Sequence, residues 1–294
     1  MNWMRYRLIY FLISSVVILA GVFSLIKWGL KFGVDFKGGA LLEYKVSKKT
    51  STEELTKRIG KENIKVTSIQ KSGESSYLFK LGSITQEEKD KVKSMVESVS
   101  GGKAEELRFE NVGPSIGPEL IKKTIYALTI SASCILLWVA YQFKSIKFGT
   151  SAVLAMFHDS LVVIGSYSLL GHFFGAEVDF LFVTALLTIL SFSVHDTIVV
   201  YDRIRETQRK QGGEIYNLAN KAATETMVRS LNNSFTIIFM LVALVLLGGS
   251  TIKWFAITLL IGTISGTYSS PFVAVPILVT WDEIQEKIRK RREK

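Results

Sequence analysis

Two acid-bearing pairs sit in stretches made otherwise almost wholly of apolar side chains. Between Leu181 and Tyr201 one apolar run carries a single acid, in the pair His195-Asp196, before breaking into Asp202-Arg203-Ile204-Arg205-Glu206. Thirty-seven positions earlier the same pairing occurs in Phe157-His158-Asp159-Ser160. An aspartate at the centre of a bilayer-crossing helix costs roughly 2.5–3.5 kcal/mol, and acids kept against that cost usually mark an ion or proton path. Ser193 lies three residues before Asp196 and shares its helix face. Arg229 opens the next apolar run at a similar depth, so an Asp196–Arg229 ion pair is expected. A movement that parts such a pair would let a proton onto the acid. Helix packing alone is the competing account of Asp196 and Arg229. For His158 and Asp159 a buried hydrogen bond to a neighbouring helix competes on equal terms. A metal site built from His158, Asp159, His195 and Asp196 is disfavoured, because adjacent helical residues diverge by about 100° and do not chelate together. Neither a metal nor a cofactor is expected.

These residues need spans to hold them, and composition supplies them. The chain has 294 residues, 48% of them hydrophobic, with a mean hydropathy of +0.28, which points to a polytopic α-helical membrane protein. A net charge of +10 could suggest nucleic acid. The bases flank apolar segments instead, and the cluster Lys287 to Arg292 follows one directly, as a cytoplasmic anchor at an anionic leaflet would. No stacking-rich aromatic motif supports a nucleic-acid partner. Cys134 is the sole cysteine, so no intrachain disulfide forms. Arg5 and Arg7 before Leu8–Ile26 resemble the start of a signal peptide, but the uncharged stretch is long and no A-x-A-like site follows. It reads as an uncleaved transmembrane helix.

Six spans are expected, at about 8–28, 124–143, 148–171, 180–201, 230–250 and 254–280. The chain then divides into residues 1–30 with the first span, an insert at 31–120, spans two to six within 121–281, and a basic tail at 282–294. Lys144 and Lys147 follow the second span, and Arg203, Arg205, Arg209 and Lys210 the fourth. Glu177 and Asp179 follow the third without a base, and only Lys253 follows the fifth. The positive-inside rule puts both termini in the cytoplasm and the insert outside. Glu214–Met227 reads as an amphipathic helix along the inner membrane surface. In the sixth span Gly262 and Gly266, extended by Ser269 and Ser270, form a small-residue face for close contact, with a partner or within this bundle.

The insert is legible as strands at Ala40–Val46, Ile64–Gln70, Tyr77–Leu81 and Glu105–Phe109, with helices at Ser51–Lys61 and Thr85–Val99. Thr85-Gln86-Glu87-Glu88 has the form of a capping box. The order β-α-β-β-α-β is that of a ferredoxin-like α+β domain. Val34-Asp35-Phe36-Lys37-Gly38-Gly39 leads into it and Val112-Gly113-Pro114-Ser115-Ile116-Gly117 leads out, both punctuated for unusual backbone angles.

These two junction motifs, His158-Asp159, the run from Ser193 to Glu206, and Arg229-Ser230-Leu231-Asn232-Asn233-Ser234 resemble, in order, the SecD/SecF family of the resistance-nodulation-division superfamily, on its SecF side. The resemblance implies a subunit of the Sec protein-export machinery in the bacterial cell membrane, not an enzyme. Its expected partners are SecD, the translocation channel, the unfolded secretory polypeptide, membrane lipid and protons. It implies that the proton-motive force is used, with Asp196 and Arg229 at the implicated positions. Asp35, Phe36, Gly38, Gly39, Gly113, Pro114 and Gly117 match the family's domain junctions. The fourth-span motif more familiarly reads Gly-Tyr-Ser-x-Asn-Asp, where this chain has Ser191, Phe192 and His195 at the Gly, Tyr and Asn positions. His195 either keeps the hydrogen-bonding role of an amide or adds a titratable group. A small-molecule or lipid exporter half of the same superfamily is the alternative, though an exporter would be expected to carry both halves or a second large outer domain. An intramembrane protease is disfavoured, since there is no His-Glu-x-x-His and Asp196 has no Gly-x-Gly-Asp context.

Overall fold

The computed structural model describes residues 2–48, 50–60, 62, 64–73, 75–113 and 116–292. A short 3-10 turn, Trp3–Tyr6, leads into α1 (Arg7–Trp28), and a single helical turn α2 (Val34–Lys37) opens the inserted domain. The domain runs β1 (Gly39–Val46), α3 (Thr52–Gly60), β2 (Val66–Lys71), β3 (Ser76–Leu81), α4 (Gln86–Ser100) and β4 (Ala104–Val112). The long helices follow: α5 (Ile116–Phe143), α6 (Ile146–Phe174), α7 (Phe180–Gln211), α8 (Ile215–Leu247), α9 (Ser250–Ser269) and α10 (Val275–Arg292). Among the described residues six helical segments are long and apolar enough to cross a membrane, α9 and α10 together forming the sixth.

The insert is a four-stranded antiparallel sheet in the order β2-β3-β1-β4, the ferredoxin-like arrangement. Period-two alternation builds it: Ala40, Leu42, Tyr44 and Val46 of β1 and Tyr77, Phe79 and Leu81 of β3 turn to one buried face. Leu55 and Ile59 of α3 and Val92 and Val96 of α4, each pair four apart, close over that face. The capping box forms as the sequence predicts. Thr85 Oγ1 accepts from Glu88 N, and Glu88 Oε2 accepts from Thr85 N at 2.8 Å. The opposite face turns toward the α6–α7 connection, where Lys80 Nζ meets Glu177 Oε2 at 2.8 Å.

In the bundle α7 is central and contacts α5, α6, α8 and α9. The helices α1 and α6 touch along matched positions: Gly21 lies on Gly165, and Ser24 donates to Ser168 at 2.8 Å. Two expectations change. Residues 214–227 are not a separate in-plane helix but the first half of α8, packed on α7 through the buried Ala219, Ala222 and Ala223 and tied to it by Arg203–Glu225 at 2.5 Å. Small side chains let the two helices run close, so α8 continues unbroken past the expected membrane edge. Arg229 therefore sits mid-helix instead of at a helix start. The sixth span is also interrupted by a π-helical turn, Ser270–Ala274, with Pro271 in its first turn. Proline has no N–H to give, and the widened turn absorbs the lost bond.

Candidate functional site

The acids are placed by four helices. Asp159 comes from α6 and is fully buried; Asp196 comes from α7 and is 3% exposed. Asp159 accepts from Ser193 Oγ of α7 at 2.5 Å, and from Ser265 Oγ and Ser269 Oγ of α9 at 2.6 Å each. His158 Nδ1 lies 3.0 Å from its Oδ1. Four polar groups thus converge on one carboxyl. Asp196 instead accepts one hydroxyl, Ser230 Oγ of α8, at 2.5 Å. One step along α7, Thr197 Oγ1 and Ser270 Oγ of the π-turn are 3.0 Å apart.

This differs from the expected pairing. Ser193 shares a face with Asp196 along α7, yet its hydroxyl crosses to Asp159 on α6. Asp196 and Arg229 form no ion pair: Arg229 and His195 are both exposed and act on the carboxyl through space only. Residue spacing fixes depth but not the rotation of α8, whose buried face carries Ser230 while its neighbour Arg229 turns outward. The sequence does not mark Ser230 or Ser265 as ligands of the acids; Ser269 and Ser270, expected there only as part of a small-residue face, hydrogen-bond to Asp159 and Thr197 respectively. Ser230 directly follows Arg229 in the motif. Gly266 lies against Ser193 and Gly262 against Ile189, so this face packs on α7 within the chain.

Energetics separate the two acids. Burying an ion costs several kcal/mol even after relaxation. A hydrogen bond to a charged group returns about 1.5–3 kcal/mol. Three hydroxyls on Asp159 reach the cost of burial without any cation. The single hydroxyl on Asp196 does not, so Asp196 is the carboxyl to which a proton, or a cation brought close, makes the larger difference.

The junction motifs meet beside this bundle. Gly117 of α5 lies so close to Phe36 that a Cβ there would strike the Phe36 carbonyl. Gly39 has φ of +135°, and a side chain there would meet Leu81 O at 2.6 Å. Gly38, with φ of +77°, ends α2, and Gly113 follows β4. Pro114 and Ser115 lie outside the described residues. Asp35 Oδ2 accepts from Phe180 N at 2.9 Å, and Asp179 Oδ1 accepts from Phe182 N at 2.7 Å. Two carboxylates therefore cap the N-terminus of α7, one from its own connection and one from the domain entrance. Burial pushes the Asp179 carboxyl above its ordinary range, the Phe182 N–H opposes that, Asp35 adds to it, and Arg108 opposes it. Among the described residues no cluster of three or more His, Cys, Asp or Glu could hold a metal ion.

Comparison with known proteins agrees with this architecture. A family profile described as "Protein export membrane protein SecD/SecF, C-terminal" matches residues 91–284, and the "SecD/SecF GG Motif" matches residues 23–50, around Gly38 and Gly39. The protein translocase subunit SecF of Thermobaculum terrenum is 39% identical, over 95% of this chain and 93% of that one. SecF of Anaerolinea thermophila is 37% identical over 96% and 94%. The SecDF subunit of Bacillus subtilis is 29% identical over 94% of this chain, which spans only 37% of it. The crystal structure of SecDF, a translocon-associated membrane protein, from Thermus thermophilus superposes with a TM-score of 0.83 at 29% identity, over 96% of this chain and 39% of that chain. A SecDF structure in a super-membrane-facing form gives 0.70. The chain belongs to the SecD/SecF family of protein-export membrane proteins and, within it, to the SecF subunits of the translocase, which are not catalytic enzymes.

Proposed function

We propose that this chain pairs through its bundle with a SecD-type set of spans beside the translocation channel, and that proton movement through its buried carboxyls drives motion of the inserted domain. That motion helps an unfolded secretory polypeptide leave the channel. Both termini lie in the cytoplasm, the ferredoxin-like domain lies outside, and the membrane is the bacterial cell membrane. Lys144, Lys147, Arg203, Arg205, Arg209 and Lys210 support this orientation, since all fall at one end of the bundle by chain order. The Bacillus subtilis SecDF, of which this chain spans 37%, supports the pairing.

The observation that carries the reading is the unequal support of the two acids. Asp159 is held by three hydroxyls, whereas Asp196 has one and lies within the electrostatic reach of Arg229. Asp196 is the proton switch in this reading, and Arg229, without an ion pair among the described residues and on the outer face of α8, is the cation whose approach is modulated. A unit charge crossing 100 mV releases about 2.3 kcal/mol, enough to bias a domain movement. The test is Asp196→Asn in cells exporting a secreted reporter. Export is expected to lose its sensitivity to the proton gradient; a variant that keeps both rate and sensitivity refutes the proposal.

A further inference from the structure

A groove of about 330 Å³, open to the outer face of the bundle past the exposed Ile13, Val17 and Ile264, lies between α1, α6 and α9 and is walled mostly by isoleucine and valine. Two polar atoms in its wall have no partner among the described residues: Ser14 Oγ and His158 Nε2. Their residues are 6% and 7% exposed. Other serines of this bundle either turn back onto their own helix, as Ser151 does to Lys147 O and Ser160 to Met156 O, or donate across to a neighbouring helix, as Ser24 and Ser193 do. Ser14 does not. Its position opposite His158 follows from register. Gly21 meets Gly165 and Ser24 meets Ser168, both offset by 144, and the same offset takes Ser14 to His158.

The protonation pattern of the imidazole follows from its other nitrogen. An ionised carboxylate only accepts, so with Asp159 charged Nδ1 carries the proton toward Oδ1, and Nε2 of the neutral ring is an acceptor facing the groove. Ser14 offers a donor there. The remaining titratable group lining the groove, among the described residues, is Tyr268 of α9, whose hydroxyl donates to Tyr10 O at 3.1 Å. A buried water needs room and two or more polar partners. Here one water can accept from Ser14 Oγ and donate to His158 Nε2, with Ser265 Oγ on the same wall.

We propose that the buried inner end of this groove is a water site bridging Ser14 and His158, and that it opens a proton route to Asp159 separate from Asp196. A protonated water gives its proton to Nε2 as the Nδ1 proton passes to Asp159 Oδ1. The ring changes tautomer, and the reverse transfer restores it. The route rests on the reading that the buried carboxyls carry protons, whereas the water site itself does not.

The test is ¹⁵N-histidine NMR on the full-length protein in lipid nanodiscs, where only three histidines contribute and His158→Asn removes the signal of interest. Magnetisation transfer from water protons to His158 Nε2 is expected, with Nδ1 protonated, and Ser14→Val should abolish it. Transfer from lipid acyl protons alone, or a water contact that survives Ser14→Val, overturns the site. His158→Asn can still donate to Asp159 but cannot relay; gradient-driven export should fall at least tenfold at an unchanged melting temperature. Undiminished export overturns the route while leaving the water site standing. In Asp196→Asn the water contact should persist, so failure of the Asp196 switch and failure of this site are read separately.

Discussion

At the residue scale, the polar interior is a hydroxyl network built around two carboxyls, not a set of ion pairs. Removing one donor from Asp159 leaves a fully buried carboxyl short of a partner, so Ser269→Ala is expected to cost about 1–3 kcal/mol of stability. Thermal unfolding in detergent measures this, and an unchanged melting temperature contradicts the three-hydroxyl support. Ser230→Ala takes away the one hydroxyl that reaches Asp196 among the described residues and is expected to alter the gradient dependence of export more than the unfolding temperature. The acids themselves were legible in the sequence, because a charge in an apolar run is conspicuous. Their ligands were not. Serine is common in spans and tolerated on any face, and only the rotations of α8 and α9 aim Ser230, Ser265 and Ser269 at the acids. The expected Asp196–Arg229 pair failed for the same reason: depth follows from counting residues, whereas azimuth follows from packing.

At the element scale, helix ends do much of the positioning. The domain was readable strand by strand, since period-two alternation and a Thr-x-x-Glu box are local signals, and the structure keeps both. The reach of the long helices was less readable. Hydropathy marks the hydrocarbon crossing, but α7 and α8 continue beyond it on an alanine-lined contact. The α7 N-terminus gives a pH prediction. The Asp179 carboxyl is raised in the folded state, mainly by burial, so the native protein binds its proton more tightly than the unfolded chain does. Its contribution to stability is complete below the ordinary carboxylate pKa of about 4 and is lost as pH rises through the raised value. Asp179→Asn keeps an acceptor for Phe182 N without the buried charge. It is expected to raise the melting temperature at neutral pH, with the gain shrinking as the medium is acidified; a gain independent of pH argues against this. At the other junction, Gly117→Val forces a branched side chain into the Phe36 carbonyl. Overpacking of this kind costs about 1–3 kcal/mol, measurable by thermal unfolding, whereas a neutral result means that α2 yields freely.

At the scale of the whole molecule, the domain rests on the membrane bundle through few polar contacts. The principal ion pair is Lys80–Glu177, partly buried at 2.8 Å between the sheet and the α6–α7 connection. Lys80→Glu sets two carboxylates face to face and should loosen the domain, with faster proteolysis near its junctions; adding Glu177→Lys should restore protection. Loss without restoration argues that the pair only coincides with the interface. The closer superposition on one SecDF structure than on the super-membrane-facing form, TM-scores of 0.83 and 0.70, indicates that the arrangement seen here resembles the former more. One hydrogen bond then gains mechanical meaning. Asp35 grips the first amide of α7, and Asp196 lies sixteen residues further along the same helix. At a rise of about 1.5 Å per residue that is a rigid arm of about 24 Å. A tilt of about 5° at the acid would swing the gripped end by about 2 Å, enough to break a single hydrogen bond, so under the proposed function a tilt set by the charge on Asp196 would be amplified at the doorway of the domain.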